Sequence, residues 1–216
     1  SSPFSEFGTI CHTVLEDAAK QKLTDKAVIL SKFKVALNES ANIPSTLKGK
    51  FFKDGLKIFV QFPIHNLNHE ETVGIEHKFD VKVSDSVQLI GYIDRLAKRG
   101  DTLWIIDYKT NSAMKPEKYH LQLQIYDYAM AVTMPQFVKR EAYLHWLRFN
   151  QVQRFEFTDK DRKDVERIIL RIGEEMEKRE LLVDEHHWPK RPGPQKLGKG
   201  EADPCTFCAF RKECWG

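Results

Sequence analysis

Gly91-Tyr92-Ile93-Asp94-Arg95, followed after the basic turn Lys98-Arg99-Gly100-Asp101 by Leu103-Trp104-Ile105-Ile106-Asp107-Tyr108-Lys109-Thr110, is the stretch from which the fold is read. β-Branched and aromatic residues crowd both runs, and the Gly and Asp between them are hairpin residues, so two antiparallel strands are predicted. Side chains alternate along a strand, which puts Asp107 and Lys109 on the side of Leu103 and Ile105 and turns Tyr108 to the other. Charge at the end of so apolar a strand is costly unless it is paired or metal-bound. Two readings follow. Asp107 and Lys109 form a strand-end ion pair, or, with Asp94 of the neighbouring strand, they form a metal site on the sheet edge. Taken alone, the stretch favours the ion pair, because structural pairs outnumber catalytic ones.

Working outward, Val73, Ile75, His77, Phe79, Val81 and Val83 alternate with polar residues, predicting a half-buried strand before the turn at Asp85-Ser86. Upstream, the apolar stripes Ile10, Val14, Leu15, Ala18 and Ala27, Leu30, Phe33, Leu37 predict two helices over 4–38. A third runs from Ser45 to Phe62, stopped by Pro63. Its Lys48, Lys50, Lys53 and Lys57 form a basic face, although each alone reads as solvated surface. Downstream, a helix over 117–132 carries Gln122 and Tyr126, four residues apart and hence on one face. Strands over 139–149 and 151–158 follow, then a helix capped by Thr158-Asp159. Val165, Ile168, Ile169, Ile172 and Met176 are its buried stripe, and Arg162, Lys163, Arg167 and Arg171 its wet face. The order predicts an α/β fold: a mixed central sheet flanked by helices. Residues 1–185 form one core, its N-terminal helical part over 1–65, and 186–216 are a connector and a cysteine-rich segment.

The 216 residues are 30% charged with a net charge of +3, so the global balance announces no polyanion partner. No apolar run reaches membrane-spanning length and no signal pattern opens the chain, which reads as soluble and intracellular, cytoplasmic in a bacterium or phage. The cysteines stand at 11, 205, 208 and 214; three within ten residues suggest ligands, not a disulfide framework. Their spacing is compatible with zinc and a fourth ligand, which it slightly favours, or with three irons of a [4Fe–4S] cluster.

Four further signals fall in order: Gly8-Thr9-Ile10-Cys11-His12 on a helix, Gly91-Tyr92-Ile93-Asp94 on a strand, Asp107-Tyr108-Lys109 on the next, and Gln122-Leu123-Gln124-Ile125-Tyr126 on the following helix. Each is common alone. Together, on these element types, they resemble the RecB-type branch of the P-D-(D/E)-x-K nuclease superfamily, which includes AddB and the four-cysteine exonucleases of CRISPR systems. The resemblance implies a restriction-endonuclease-like fold. It also implies that His12, Asp94, Asp107 and the backbone carbonyl of Tyr108 hold one or two divalent cations, Mg²⁺ or Mn²⁺. Lys109 would orient the attacking water and share developing negative charge, and Gln122 and Tyr126 would contact the substrate backbone or buttress the lysine. Glu76 matches an auxiliary carboxylate of these enzymes. Independently of kinship, a strand Asp-x-Lys with a neighbouring Asp facing a cleft selects phosphate chemistry.

Kinship also shifts the cysteines toward [4Fe–4S], with Cys205, Cys208 and Cys214 completed by one upstream cysteine. In iron–sulfur relatives that residue lies well before the helical histidine, whereas Cys11 adjoins His12. The fourth ligand is therefore in a segment preceding this chain, or Cys11 is a buried small apolar residue, or the cluster sits beside the first helix. The expectation is a metal-dependent deoxyribonuclease acting on single strands or frayed ends, as an exonuclease of replication, repair, recombination or phage DNA metabolism. Lys48, Lys50, Lys53, Lys57, Arg95 and Lys98 would line the DNA path, and a helicase or recombination protein is the partner class. The alternatives are a non-catalytic DNA-binding subunit of a helicase-like assembly, and an endonuclease.

Overall fold

The computed structural model describes residues 2–63 and 70–180. Three helices come first: α1 (Pro3–Lys20), α2 (Lys26–Glu39) and α3 (Ser45–Gln61). Their starts are local chemistry. Pro3 opens α1, where its missing N–H is no loss, and the Ser2 hydroxyl accepts from the Ser5 N–H at 3.1 Å. Asp25 caps α2 by accepting from the Ala27 N–H at 2.7 Å. Then follow β1 (Glu71–Lys82), β2 (Gln88–Arg99), β3 (Thr102–Lys109), a 3₁₀ turn (Pro116–Lys118), α4 (His120–Thr133), β4 (Lys139–Trp146), β5 (Gln151–Phe155) and α5 (Asp159–Glu180).

The five strands lie in the order β1-β2-β3-β4-β5. Hairpins make every pair antiparallel except β3 with β4, which are parallel and joined through α4. A mixed sheet results, and helices cover both faces. Ile106 and Tyr108 of β3 pack on the helical hairpins, in a core built around Phe7, Phe33, Phe51 and Phe59. Leu103 and Ile105 face the other way, onto Leu123 and Met130 of α4 and Val165 and Ile169 of α5. The alternation read from β3 thus separates the two cores, and the α/β architecture is the one expected.

Some details differ. The helix expected from 117 begins at His120, because Pro116 starts a tighter turn ahead of it. Only the first half of the α5 stripe is covered: Val165 and Ile169 are buried, but Ile172 and Met176 are 48% and 49% exposed. Arg162 is not on a wet face. It pairs with Asp127 and Asp159, each at 2.6 Å, and Asp127 also takes Arg140 at 2.9 Å, so a buried carboxylate is neutralised by two arginines. Cys11 is fully buried in the α1–α3 core, where burial pushes its thiol pKa far up and it behaves as a small apolar residue. Cys205, Cys208, Cys214 and the connector from 186 lie outside the described residues. Among the described residues no helix is long and apolar enough to cross a membrane.

Candidate active site

The β2–β3 ladder runs from Arg99 opposite Thr102 to Arg95 opposite Ile106 and stops. One residue further, Asp94 takes over: its Oδ2 accepts from the Tyr108 N–H at 2.7 Å, so a carboxylate replaces the next rung and pins the end of β3. Its Oδ1 lies 3.3 Å from His12 Nδ1. His12 reaches it because α1 crosses close above β3. A Cβ on Gly8 would stand 3.0 Å from Thr110 Oγ1, so the glycine one turn before the histidine sets that approach. Gly91 has a similar reason, since a Cβ there would lie 2.3 Å from Cζ of Phe79.

Glu76 completes a cluster. Ligand atoms of His12, Glu76 and Asp94 all lie within 4.8 Å of one another. Glu76 sits inside β1 with φ +47°, left-handed backbone that a non-glycine residue adopts only at a cost of about 1–3 kcal/mol. The kink breaks the strand's alternation, so Ile75 and Glu76 both line the cleft under α1. Burial raises the Glu76 pKa, and the charges of Asp94 and Glu16 add to it. Burial opposes the proton on His12, but the hydrogen bond to Asp94 and the charges of Asp94 and Asp107 outweigh it and raise its pKa.

Asp107 and Lys109 form the second half. Asp107 is 2% exposed, and its Oδ2 lies 2.7 Å from Lys109 Nζ without a well-aligned hydrogen bond. Burial pushes the carboxyl up to about 6; Lys109 opposes the shift and Asp94 adds to it. The ammonium also donates to Gln122 Oε1 at 3.2 Å and sits 4.2 Å from the centre of the Tyr119 ring. Gln122 Nε2 donates in turn to the Tyr126 hydroxyl at 2.7 Å, and the Tyr119 hydroxyl donates to Asn111 Oδ1 at 3.1 Å. Lys109 is thus fixed in direction by a carboxylate, an amide and an aromatic face. Three carboxylates crowd one end of the sheet with an imidazole among them. The donor set of oxygens and one nitrogen, together with their mutual repulsion, fits a hard divalent cation.

A groove of about 1240 Å³ opens over this end, lined by His12 and Lys109 and by Lys50, Lys115, Lys118 and Arg148. Asp54 is the one acid among its described lining residues, and Arg148 holds it at 2.5 Å. Of the lysines expected on a DNA path, Lys50, Lys53 and Lys57 are exposed, while Lys48 donates to the Asn38 carbonyl at 2.6 Å. Arg95 departs from that expectation. It is 3% exposed, paired with Glu70 at 3.2 Å, on the sheet face away from Lys109, so it meets no strand lying in this groove. Lys98, 3.9 Å from Glu71 at the far end of β2, is also remote from it.

Sequence reasoning missed Tyr119, Arg148, Lys115 and Lys118, and gave Glu76 too little weight. Lys115 and Lys118 bracket a proline in a segment with no periodicity to place them, and Arg148 acts through the Thr110 carbonyl, which it holds at 2.5 Å from 38 residues away. A family model of the PD-(D/E)XK nuclease superfamily matches residues 1–215. No curated protein matches the chain.

Proposed function

The chain belongs to the PD-(D/E)XK nuclease superfamily, and we propose that it is a divalent-metal-dependent deoxyribonuclease that degrades DNA from an end and prefers single strands. The observation that carries this reading is the meeting of the His12, Glu76 and Asp94 cluster with the Asp107–Lys109 pair beside a basic groove that His12 and Lys109 line. His12, Glu76, Asp94 and Asp107 would hold Mg²⁺ or Mn²⁺, with the Tyr108 carbonyl as a further oxygen donor. Bound there, the cation supplies Lewis acidity and lowers the pKa of a water.

The protein's own groups do the rest. Lys109, held beside Asp107, stabilises negative charge growing on the phosphoryl oxygens, as a positioned electrostatic group rather than a base. Gln122 and Tyr119 hold its direction, and Tyr126 holds Gln122. Lys50, Lys115, Lys118 and Arg148 retain the backbone by charge, which makes binding salt-sensitive and indifferent to sequence. In the same reading 1–185 is the nuclease core, and Cys205, Cys208 and Cys214 carry a [4Fe–4S] cluster, with zinc as the alternative. Visible charge-transfer absorbance after anaerobic purification supports iron–sulfur, and zinc by elemental analysis without it supports the other.

The test is end-labelled single- and double-stranded DNA, with an RNA control, incubated with Mg²⁺, Mn²⁺ or chelator. The parent is expected to yield end-proximal products from single strands, and Lys109→Ala to be at least about 100-fold slower. Equal degradation by both proteins removes the assignment. Mid-length fragments appearing first favour an endonuclease, and DNA binding without cleavage favours the non-catalytic subunit.

A further inference from the structure

A second concavity lies on the sheet face that carries Trp104, Ile106 and Tyr108, away from Lys109. It has a volume of about 430 Å³, within the range of small-molecule sites. Aromatic faces form its walls. Trp104 and Tyr143 stand with centroids 5.0 Å apart, and Phe62 stacks on His145 at 5.1 Å and 18°. Such walls favour a planar ring.

Its polar groups narrow the choice. His145 is 93% buried, and its Nε2 has no hydrogen-bond partner. Burial lowers its pKa to about 4, so at neutral pH the imidazole offers that nitrogen as one donor or one acceptor. A buried polar atom left unsatisfied is costly, and a purely hydrocarbon ring would not satisfy it. Charge enters at the rim through Arg99, which is exposed with its guanidinium 5.4 Å over the Trp104 ring, while Arg95 lies buried beneath it against Glu70 and Thr72. The planar fork of the exposed Arg99 guanidinium matches a phosphate.

We propose that this pocket binds a single nucleotide unit, its base between the aromatic walls and hydrogen-bonded to His145, its phosphate at Arg99 beside Arg95. The unit is either a free nucleoside monophosphate or one nucleotide of a strand. Its position has a consequence for the cluster described above. Arg95 follows Asp94 in β2, and the Tyr108 ring lines the pocket while its N–H is held by Asp94, so the occupant sits directly behind that carboxylate.

The test is calorimetric titration in chelator, which keeps the cation out of the nuclease site. The probes are a deoxynucleoside monophosphate, the matching nucleoside, inorganic phosphate and a short oligonucleotide whose ends carry no phosphate. The monophosphate is expected to bind the parent and Lys109→Ala alike, at least tenfold more tightly than nucleoside or phosphate. Arg99→Ala and His145→Phe should each weaken it tenfold or more. Arg99 is exposed, so its removal does not endanger the fold should His145→Phe do so. Preference for the oligonucleotide assigns the pocket to a strand, and preference for the monophosphate to a free nucleotide. No binding by the parent, phosphate binding as tightly as the nucleotide, or binding that Lys109→Ala abolishes and Arg99→Ala spares each overturns the proposal. Because the probe is bound and not cleaved, these outcomes are independent of whether the chain proves to be a nuclease.

Discussion

Asp107 is where folding and chemistry pull apart. Its carboxyl is raised to about 6 by burial, so the folded protein holds that proton more tightly than the unfolded chain does. The stability this contributes is present below the ordinary carboxylate range and lost as pH rises through about 6, so at neutral pH the buried charge opposes folding. Asp107→Asn should therefore stabilise the metal-free protein at pH 7 by on the order of 1 kcal/mol, and by less at pH 5, while abolishing cleavage. Urea melts in chelator at the two pH values check it; a loss of stability at both would mean the ion pair matters more than the burial. At this scale the sequence was partly transparent. Motif spacing singled out His12, Asp94, Asp107 and Lys109, which the fold brings to one end of the sheet, and the Asp107–Lys109 ion pair read as the alternative to a metal site lies beside the acidic cluster, at 2.7 Å. The place of Glu76 beside His12 and Asp94 was not legible, because alternation treats it as one polar residue among several and a positive φ leaves no trace in composition. Glu76→Gln should weaken Mn²⁺ binding at least about tenfold, read as a smaller rise in melting temperature at fixed Mn²⁺.

Elements bring these residues together by a few exact approaches. A Cβ at position 8 of α1 would press on the Thr110 hydroxyl just after β3, and Phe79 of β1 lies against β2 where position 91 has no side chain. α4 presents Gln122 and Tyr126 on one face, and their hydrogen bond makes them a single strut behind Lys109. The two ends of the strut are not equivalent. Gln122→Leu removes an acceptor from the ammonium and should lower kcat roughly tenfold with little change in KM, as loss of an interaction felt in the transition state does. Tyr126→Phe removes only the hydroxyl that Gln122 donates to and should lower kcat no more than about threefold. Steady-state kinetics on one oligonucleotide separate them, and equal losses would mean that Tyr126 touches the substrate itself. Among the described residues, periodicity and breaker residues located the five strands and five helices. Periodicity failed for α5 beyond Ile169 and for Arg162, because a hydrophobic stripe states which face is apolar and not how far the sheet beneath it extends.

At the scale of the whole molecule, a net charge of +3 conceals an uneven distribution. Lys50, Lys109, Lys115, Lys118 and Arg148 converge on one groove from α3, the end of β3, the turn before α4 and the loop after β4. The helical hairpins contribute Lys50, Asp54 and His12, the sheet contributes Tyr108 and Lys109, and the groove lies where the two meet. A polyanion would therefore be drawn to this end of the sheet. Replacing Lys50, Lys115 and Lys118 together by alanine leaves the metal donors and Lys109 in place. It should raise KM for single-stranded DNA far more than it lowers kcat. It should also reduce the slope of log affinity against log salt by about 2, from roughly 0.7 per lost phosphate contact. The same triple variant should cleave a substrate of two or three nucleotides about as well as the parent, because so short a strand does not reach all three lysines. An unchanged salt slope would place the strand elsewhere on the surface, and a collapse of kcat on the short substrate would mean that these lysines shape the site instead of the path leading to it.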